Sequence, residues 1–299
     1  MTFPTDLLVL KHAQALHGLD RHVVEAMAAD HVRLPKEGAH LLVEPANGLP
    51  ARAVLLLGVV PLFEFEYREI RQFARRALAV AAHVRPETSD LALTLHGPGY
   101  GLDEIEAFQS ELRGLADSFA EGAFPPGLRT VTFVERDGRR ADRMKVQLAT
   151  PRSEDADKAR VFVAMPFAAA FEDLFHYGIS RAIRKAGFVC ERMDTLAFTG
   201  DVVAKMKERI GRARLVVADL TDANPNVYLE VGYAWGQGVP TVLICRKDTK
   251  PAFDLQGHRY LAYNSIQHLE ESLTAELRAL GGELHAPQAH ATWAGTGSR

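Results

Sequence analysis

The chain has 299 residues, of which 47% are hydrophobic and 24% charged, and a formal net charge of -3 at pH 7. That length favours two domains over one, and the composition is that of an ordinary globular protein. The near balance of charge argues against a strongly electrostatic nucleic-acid binder, so no direct nucleic-acid partner is expected.

The N-terminal "MTFPTDLLVLKHAQ" has neither the basic stretch nor the long apolar stretch of a secretory leader, and "AVLLLGVVPLF" at 53–63 is too short to span a bilayer. A cytoplasmic protein without membrane contact is expected. In chain order, "DLLVLKHAQ", "GAHLLVEP" and "RAVLLLGV" read as strands, and "FEYREIRQFARRALAVAAHV" as a helix. "DLALTLHG" follows as a strand, and "LDEIEAFQSELRGLADSFAEG" as a helix. "LRTVTFVER" and "MKVQLA" read as further strands, which makes residues 1–147 an α/β domain with a mixed sheet. The polar, proline-marked "LATPRSEDADKAR" supplies an inter-domain linker at 148–158.

The second half, 159–282, opens with the β-branched strand "RVFVAM" and the helix "AAFEDLFHYGISRAIRKAG", which ends at Gly187 as C-cap. "FVCERMD", "RLVVADL", "VPTVLIC" and "RYLAYN" continue the strands. Between them lie the helices "GDVVAKMKERIGRA" and "NPNVYLEVGYAWGQG", the latter with Asn224 as N-cap and Pro225 at its first position. A final helix follows Ser265, and 283–299 form an aperiodic tail. Five parallel strands with covering helices define a flavodoxin-like doubly wound sheet, which binds ligands beyond the carboxyl ends of its strands. The two cysteines, Cys190 and Cys245, fall in strand-like runs and read as buried thiols of a reducing compartment. The twelve histidines show no zinc spacing, so neither a metal nor a bound cofactor is expected.

One residue stands out in the second half. Between Asp222 and Arg246 the only charge is Glu230, in the second turn of an otherwise uncharged helix. A lone acid in apolar surroundings is costly unless it is paired. Either it is structural and pairs with Arg209, Arg212 or Arg214, or it is kept for chemistry as a nucleophile or base. On helical spacing Asn226, Glu230, Tyr233 and Gln237 share one side, and Val227, Val231 and Ala234 share the core side. Three loops leave the same ends of the strands. "AMPF" brings Met165, Pro166 and Phe167. "MDTLAFTGD" brings Asp194, Gly200 and Asp201. "ADLTDANPN" brings Asp219, Asp222 and Asn226. These are the candidate substrate-binding residues.

"VFVAMPF" followed by "ADLTDANPNVYLEVGYAWGQGVPTVLI" resembles the nucleoside 2-deoxyribosyltransferase family and the TIR-like nucleotide N-glycosidases. The matching residues are Glu230-Val231-Gly232-Tyr233-Ala234 and Gly238-Val239-Pro240, and the likeness covers about residues 159–282. The resemblance implies that Glu230 attacks the sugar C1′, that Asp219 contacts substrate or handles a proton, and that Phe167 flanks the base. "NPN" at 224–226, where many transferases carry an Asp-Gly-type loop, leaves the sugar and the leaving group open.

In the first half, "LTLHGPGYGLDE" is a strand, a glycine-rich loop and a helix start. Gly97, Gly99 and Gly101 could let backbone amides approach a phosphate, although such loops are common without ligands. The order of elements here resembles the macro-like N-terminal domain of leucine aminopeptidases. That resemblance implies an ADP-ribose-like or other nucleotide signal. The combined expectation is a signal-gated N-glycosidase with NAD or a related nucleotide as substrate, of the kind seen in bacterial antiviral defence. Its activity would be gated by the first domain or by assembly into a homo-oligomer. The alternatives are a deoxyribosyltransferase or nucleosidase of salvage metabolism, or a non-catalytic nucleotide-binding module.

Overall fold

The computed structural model describes residues 4–14, 23–24, 33–44, 49–98, 100–149, 158–193, 202–249 and 257–284. The chain divides into two compact units, Met1–Glu154 with Met193–Phe198 and Asp155–Arg192 with Thr199–Arg299. Among the described residues no helix is long and apolar enough to cross a membrane.

The first unit is built on β1 (Thr5–His12), β2 (His40–Val43), β3 (Ala51–Gly58), β4 (Asp90–Leu93) and β5 (Thr130–Phe133). They form one sheet in the order β2-β3-β1-β4-β5, parallel except for β2, which runs antiparallel to β3. Alternation along β1 sends Leu7 and Val9 to one core and Leu8 and Leu10 to the other, so both faces of the sheet are covered. Helices α1 (Tyr67–Val84) and α2 (Glu104–Ala120) pack on each other and on the first of these cores. α1 starts with a capping box between Glu66 and Glu69.

The segment "MKVQLA" is not a strand. It ends α3 (Gly138–Leu148), whose N-cap Asp137 accepts from the amides of Arg139 and Arg140. Arg, Ala, Met, Lys and Gln are good helix formers, and the short Met-Lys-Val-Gln-Leu alternation was the weaker signal. Only Met144 is buried there, while Val146 and Leu148 are exposed.

The second unit contains β6 (Arg160–Ala164), β7 (Val189–Glu191), β8 (Leu215–Asp219), β9 (Thr241–Arg246) and β10 (Tyr260–Tyr263). All pairings are parallel, in the order β10-β9-β8-β6-β7. In the unit's own chain order this is 2-1-3-4-5, the flavodoxin-like winding, with its switch point between β6 and β8. Helix α4 (Ser180–Lys185), preceded by a π-helical segment (Leu174–Ile179), and α7 (Ile266–Leu284) share one core with β6, β8 and β9. Helices α5 (Val202–Arg212) and α6 (Pro225–Gly236) pack together on the other face.

α4 ends in a Schellman motif. Gly187, at φ 94°, donates its amide to Arg184 O, and Phe188 donates to Ile183 O. Cys190 and Cys245 are both buried, and neither is in a disulfide.

Candidate active site

The connection from β8 to α6 is built residue by residue. Asp219 is the last residue of β8 and wholly buried. Its Oδ1 accepts from the Thr221 amide at 3.0 Å and from Thr221 Oγ1 at 2.6 Å, and its Oδ2 accepts from the Tyr263 hydroxyl at 3.5 Å. Burial raises the Asp219 carboxyl, the two Thr221 bonds and the Tyr263 bond lower it, and the Asp222 carboxylate raises it. Ala223 then takes a left-handed φ of 46°, and Asn224 caps α6 by accepting from the Asn226 amide at 2.9 Å. Asp222 and Asn226 are exposed at this start of the helix.

Val227, Val231 and Ala234 are buried beneath α6, and Glu230 and Tyr233 are half-buried beside them. Among the described residues, no cation and no hydrogen-bond donor meets the Glu230 carboxyl. Arg209 instead pairs with Glu191 at 3.2 Å, and Arg212 with Glu208 at 2.6 Å. Burial pushes Glu230 up from 4.5 to about 8, so the free protein holds it largely neutral at pH 7.

Alternation along β8 points Leu215, Val217 and Asp219 to the core that holds Tyr263 and α7. Glu230 stands on α6, over the opposite face. The two acids therefore sit at one end of the sheet but on different sides of it.

At the end of β6, Met165 and Pro166 are buried and Phe167 is half-buried. The Arg192 guanidinium lies between two rings, its carbon 4.5 Å from the Phe167 centroid and 3.8 Å from that of Phe175. Arg192 also donates to Glu172 at 2.7 Å and approaches Met165 Sδ at 3.9 Å. His176 lies 3.2 Å from the other Glu172 oxygen. The hydrogen bond from His176 and the charge of Arg192 hold the Glu172 carboxyl down to about 2 despite its partial burial.

Arg192, Glu172 and His176 escaped the sequence reading. Only the four-residue Glu172–His176 spacing was visible there, and the π turn that carries Leu174–Ile179 had no sequence signal. Asp194, Gly200 and Asp201 lie outside the described residues.

In the first unit, Gly97 and Gly101 have φ of 105° and 95°, and Gly99 lies outside the described residues. A Cβ on Gly97 would come within 2.9 Å of Leu102 and 3.1 Å of Ile70, so core packing as well as backbone conformation demands glycine there. The following helix start is already served: Asp103 caps the Glu106 amide, and the Tyr67 hydroxyl accepts from the Asp103 amide. Among the described residues there is no group of three or more His, Cys, Asp or Glu that could hold a metal ion.

No protein-family model and no curated protein matches the chain. Among solved structures it is similar to a CMP N-glycosidase of Clostridium botulinum, BcmB. The alignment has 18% identity and a TM-score of 0.34, and covers 39% of this chain and 98% of that one. The fold of the second unit rests on its own strand order, and its chemistry on its own side chains.

Proposed function

We propose that the second unit is a nucleotide N-glycosidase in which Glu230 acts at the sugar C1′, with NAD or a related nucleotide as substrate. The observation that carries this reading is a half-buried carboxyl without a partner, on a helix that starts at the carboxyl end of a switch-point strand. A structural acid would be paired, and Arg209 and Arg212 are engaged elsewhere.

In the reaction the C1′–N bond breaks and its electron pair leaves with the base. The positive charge developing at C1′ favours the ionised form of Glu230, which bonds to C1′ through a carboxylate oxygen or shields the cation. Water then attacks C1′, loses its proton to solvent and frees the carboxylate. Nicotinamide leaves a cationic pyridinium as a neutral molecule and needs no proton donor, which is why NAD is the preferred substrate class. Phe167 flanks the base, braced from behind by Arg192. Met165 and Pro166 shape the end of β6, and Asp222 and Asn226 stand where sugar hydroxyls would be met. Asp219 supports the site from within the sheet. The first unit would gate the reaction through the Gly97–Gly101 turn, as an effector that destroys a common cofactor requires.

The test is release of free base from NAD and from a panel of nucleosides and nucleotides at pH 8.5. Glu230→Gln should keep the shape, still bind nucleotide and lose about three orders of magnitude in turnover. Turnover of Glu230→Gln near the wild-type rate would end the proposal. Release from nucleosides alone would move the reading to a salvage nucleosidase or transferase.

A further inference from the structure

We infer that Thr221 and Tyr263 are positioning residues for Glu230: they clamp the connection between β8 and α6 onto the buried Asp219, which serves the reaction as an anchor without touching substrate. The inference rests on the reading of Glu230 above and adds two residues and a changed role for a third.

The hydrogen-bond directions support it. Thr221 Oγ1 has one proton, and the 2.6 Å contact gives that proton to Asp219 Oδ1. Its lone pairs then accept from the Arg246 amide at 3.1 Å and from the Tyr263 hydroxyl at 3.1 Å, whose single proton is shared with the more distant Asp219 Oδ2 at 3.5 Å. Arg246 and Tyr263 are the last residues of β9 and β10, and Asp219 is the last of β8. One hydroxyl therefore ties together the carboxyl ends of three adjacent strands. The main chain is held at the same place, since Leu220 donates to Ile244 O at 2.9 Å and Ala223 donates to Leu220 O at 3.2 Å.

From this fixed turn the chain passes through the Asn224 cap into α6, a rigid rod that bears Glu230 in its second turn. Asp219 has no exposed surface and faces the α7 side of the sheet, so it has no direct path to a ligand beside Glu230. What it can govern is where α6 begins. A shift of about 1 Å in a reacting group costs on the order of 100-fold in rate, so a clamp of this kind matters to catalysis.

The full-length chain, 13C-labelled at the glutamate carboxyls, provides the test. The Glu230 signal is assigned by its absence in Glu230→Gln, and in the wild type it should titrate near 8. In Thr221→Val the loosened connection should admit water and move that midpoint at least about one pH unit toward the ordinary carboxylate range. The same variant should lose about 10- to 100-fold in kcat for base release with KM little changed. Thr221→Ser should restore both, and Tyr263→Phe should shift both in the same direction by less. Should Thr221→Val not fold, the comparison of Tyr263→Phe with wild type decides by the same two readouts. A wild-type-like titration and kcat in Thr221→Val, or failure of Ser to rescue, overturns the clamp. Titration needs no turnover, so a wild-type chain that releases no base would overturn the nucleophile reading while the carboxyl signal still decides the clamp.

Discussion

At Glu230, burial without a partner sets a folded pKa of about 8 against an ordinary 4.5. Between those values the folded state holds a proton that the unfolded state has lost. The contribution to stability is therefore complete below about pH 4.5 and is lost as pH rises through 8. Glutamine carries no such proton. Glu230→Gln should nearly match the wild type in Tm at pH 5 and exceed it at pH 9, by about 4 kcal/mol in unfolding free energy. A Tm loss at both pH values would mean that a cation partners Glu230 after all. Catalysis should run the other way, because the carboxylate is the reactive form: kcat/KM should climb as pH rises toward 8 and level off above it. A rate that falls through the same range would make Glu230 a proton donor.

Along α6 the two glycines of the "EVGYA…GVP" pattern have different physical reasons. Gly238 lies just past the helix at φ 70°, with its amide on Trp235 O and that of Val239 on Ala234 O, a Schellman end that a residue with a side chain fits poorly. Gly232 has an ordinary φ, and a Cβ there would meet nothing within 4 Å. It also points away from Glu230, two residues or about 200° around the helix. Gly232→Ala should therefore raise stability by roughly 0.8–1 kcal/mol in urea unfolding and leave base release unchanged. Lost activity in that variant would show that a ligand or a second chain approaches this face. Helix ends were legible in the sequence because caps are local: Asn224, Pro225 and Gly187 all sit where their chemistry requires. α3 was missed because five residues of alternation imitate a strand when the Asp137 cap seven residues upstream is left out.

The two units each have a core of their own, and each holds an unusual acid. In the first unit Glu111 is wholly buried on α2, and burial pushes its carboxyl well above the ordinary range, offset in part by the His96 backbone and the charge of Lys11. His96, also buried and with Nε2 unpartnered, is held neutral by the same desolvation, aided by the charge of Lys11. A leucine in place of Glu111 removes a group whose desolvation outweighs what the His96 backbone and the Lys11 charge return, so Glu111→Leu should stabilise this unit by about 1–3 kcal/mol. With separate cores, scanning calorimetry should show only one of two transitions moving. A destabilised first unit would instead show that the His96 and Lys11 interactions outweigh the cost of burying Glu111.

What the sequence determined by itself was the alternation of strands and helices, the parallel sheet of the second unit, and Glu230 as a lone charge in an apolar helix. All three follow from short-range pattern, in which periodicity and capping are read within one or two turns of chain. Only the tertiary structure decided the partners. Arg209 could have met Glu230 but lies with Glu191, which is 18 residues earlier, at the end of β7. Asp219 reads as one more acid beside the site, yet the alternation of β8 turns it to the opposite face, against a tyrosine 44 residues later. Arg192 finds Glu172 across 20 residues and stacks on Phe167 and Phe175. Charge pairing is set by which strand ends lie side by side, and strand order is a property of the whole sheet that no local segment carries.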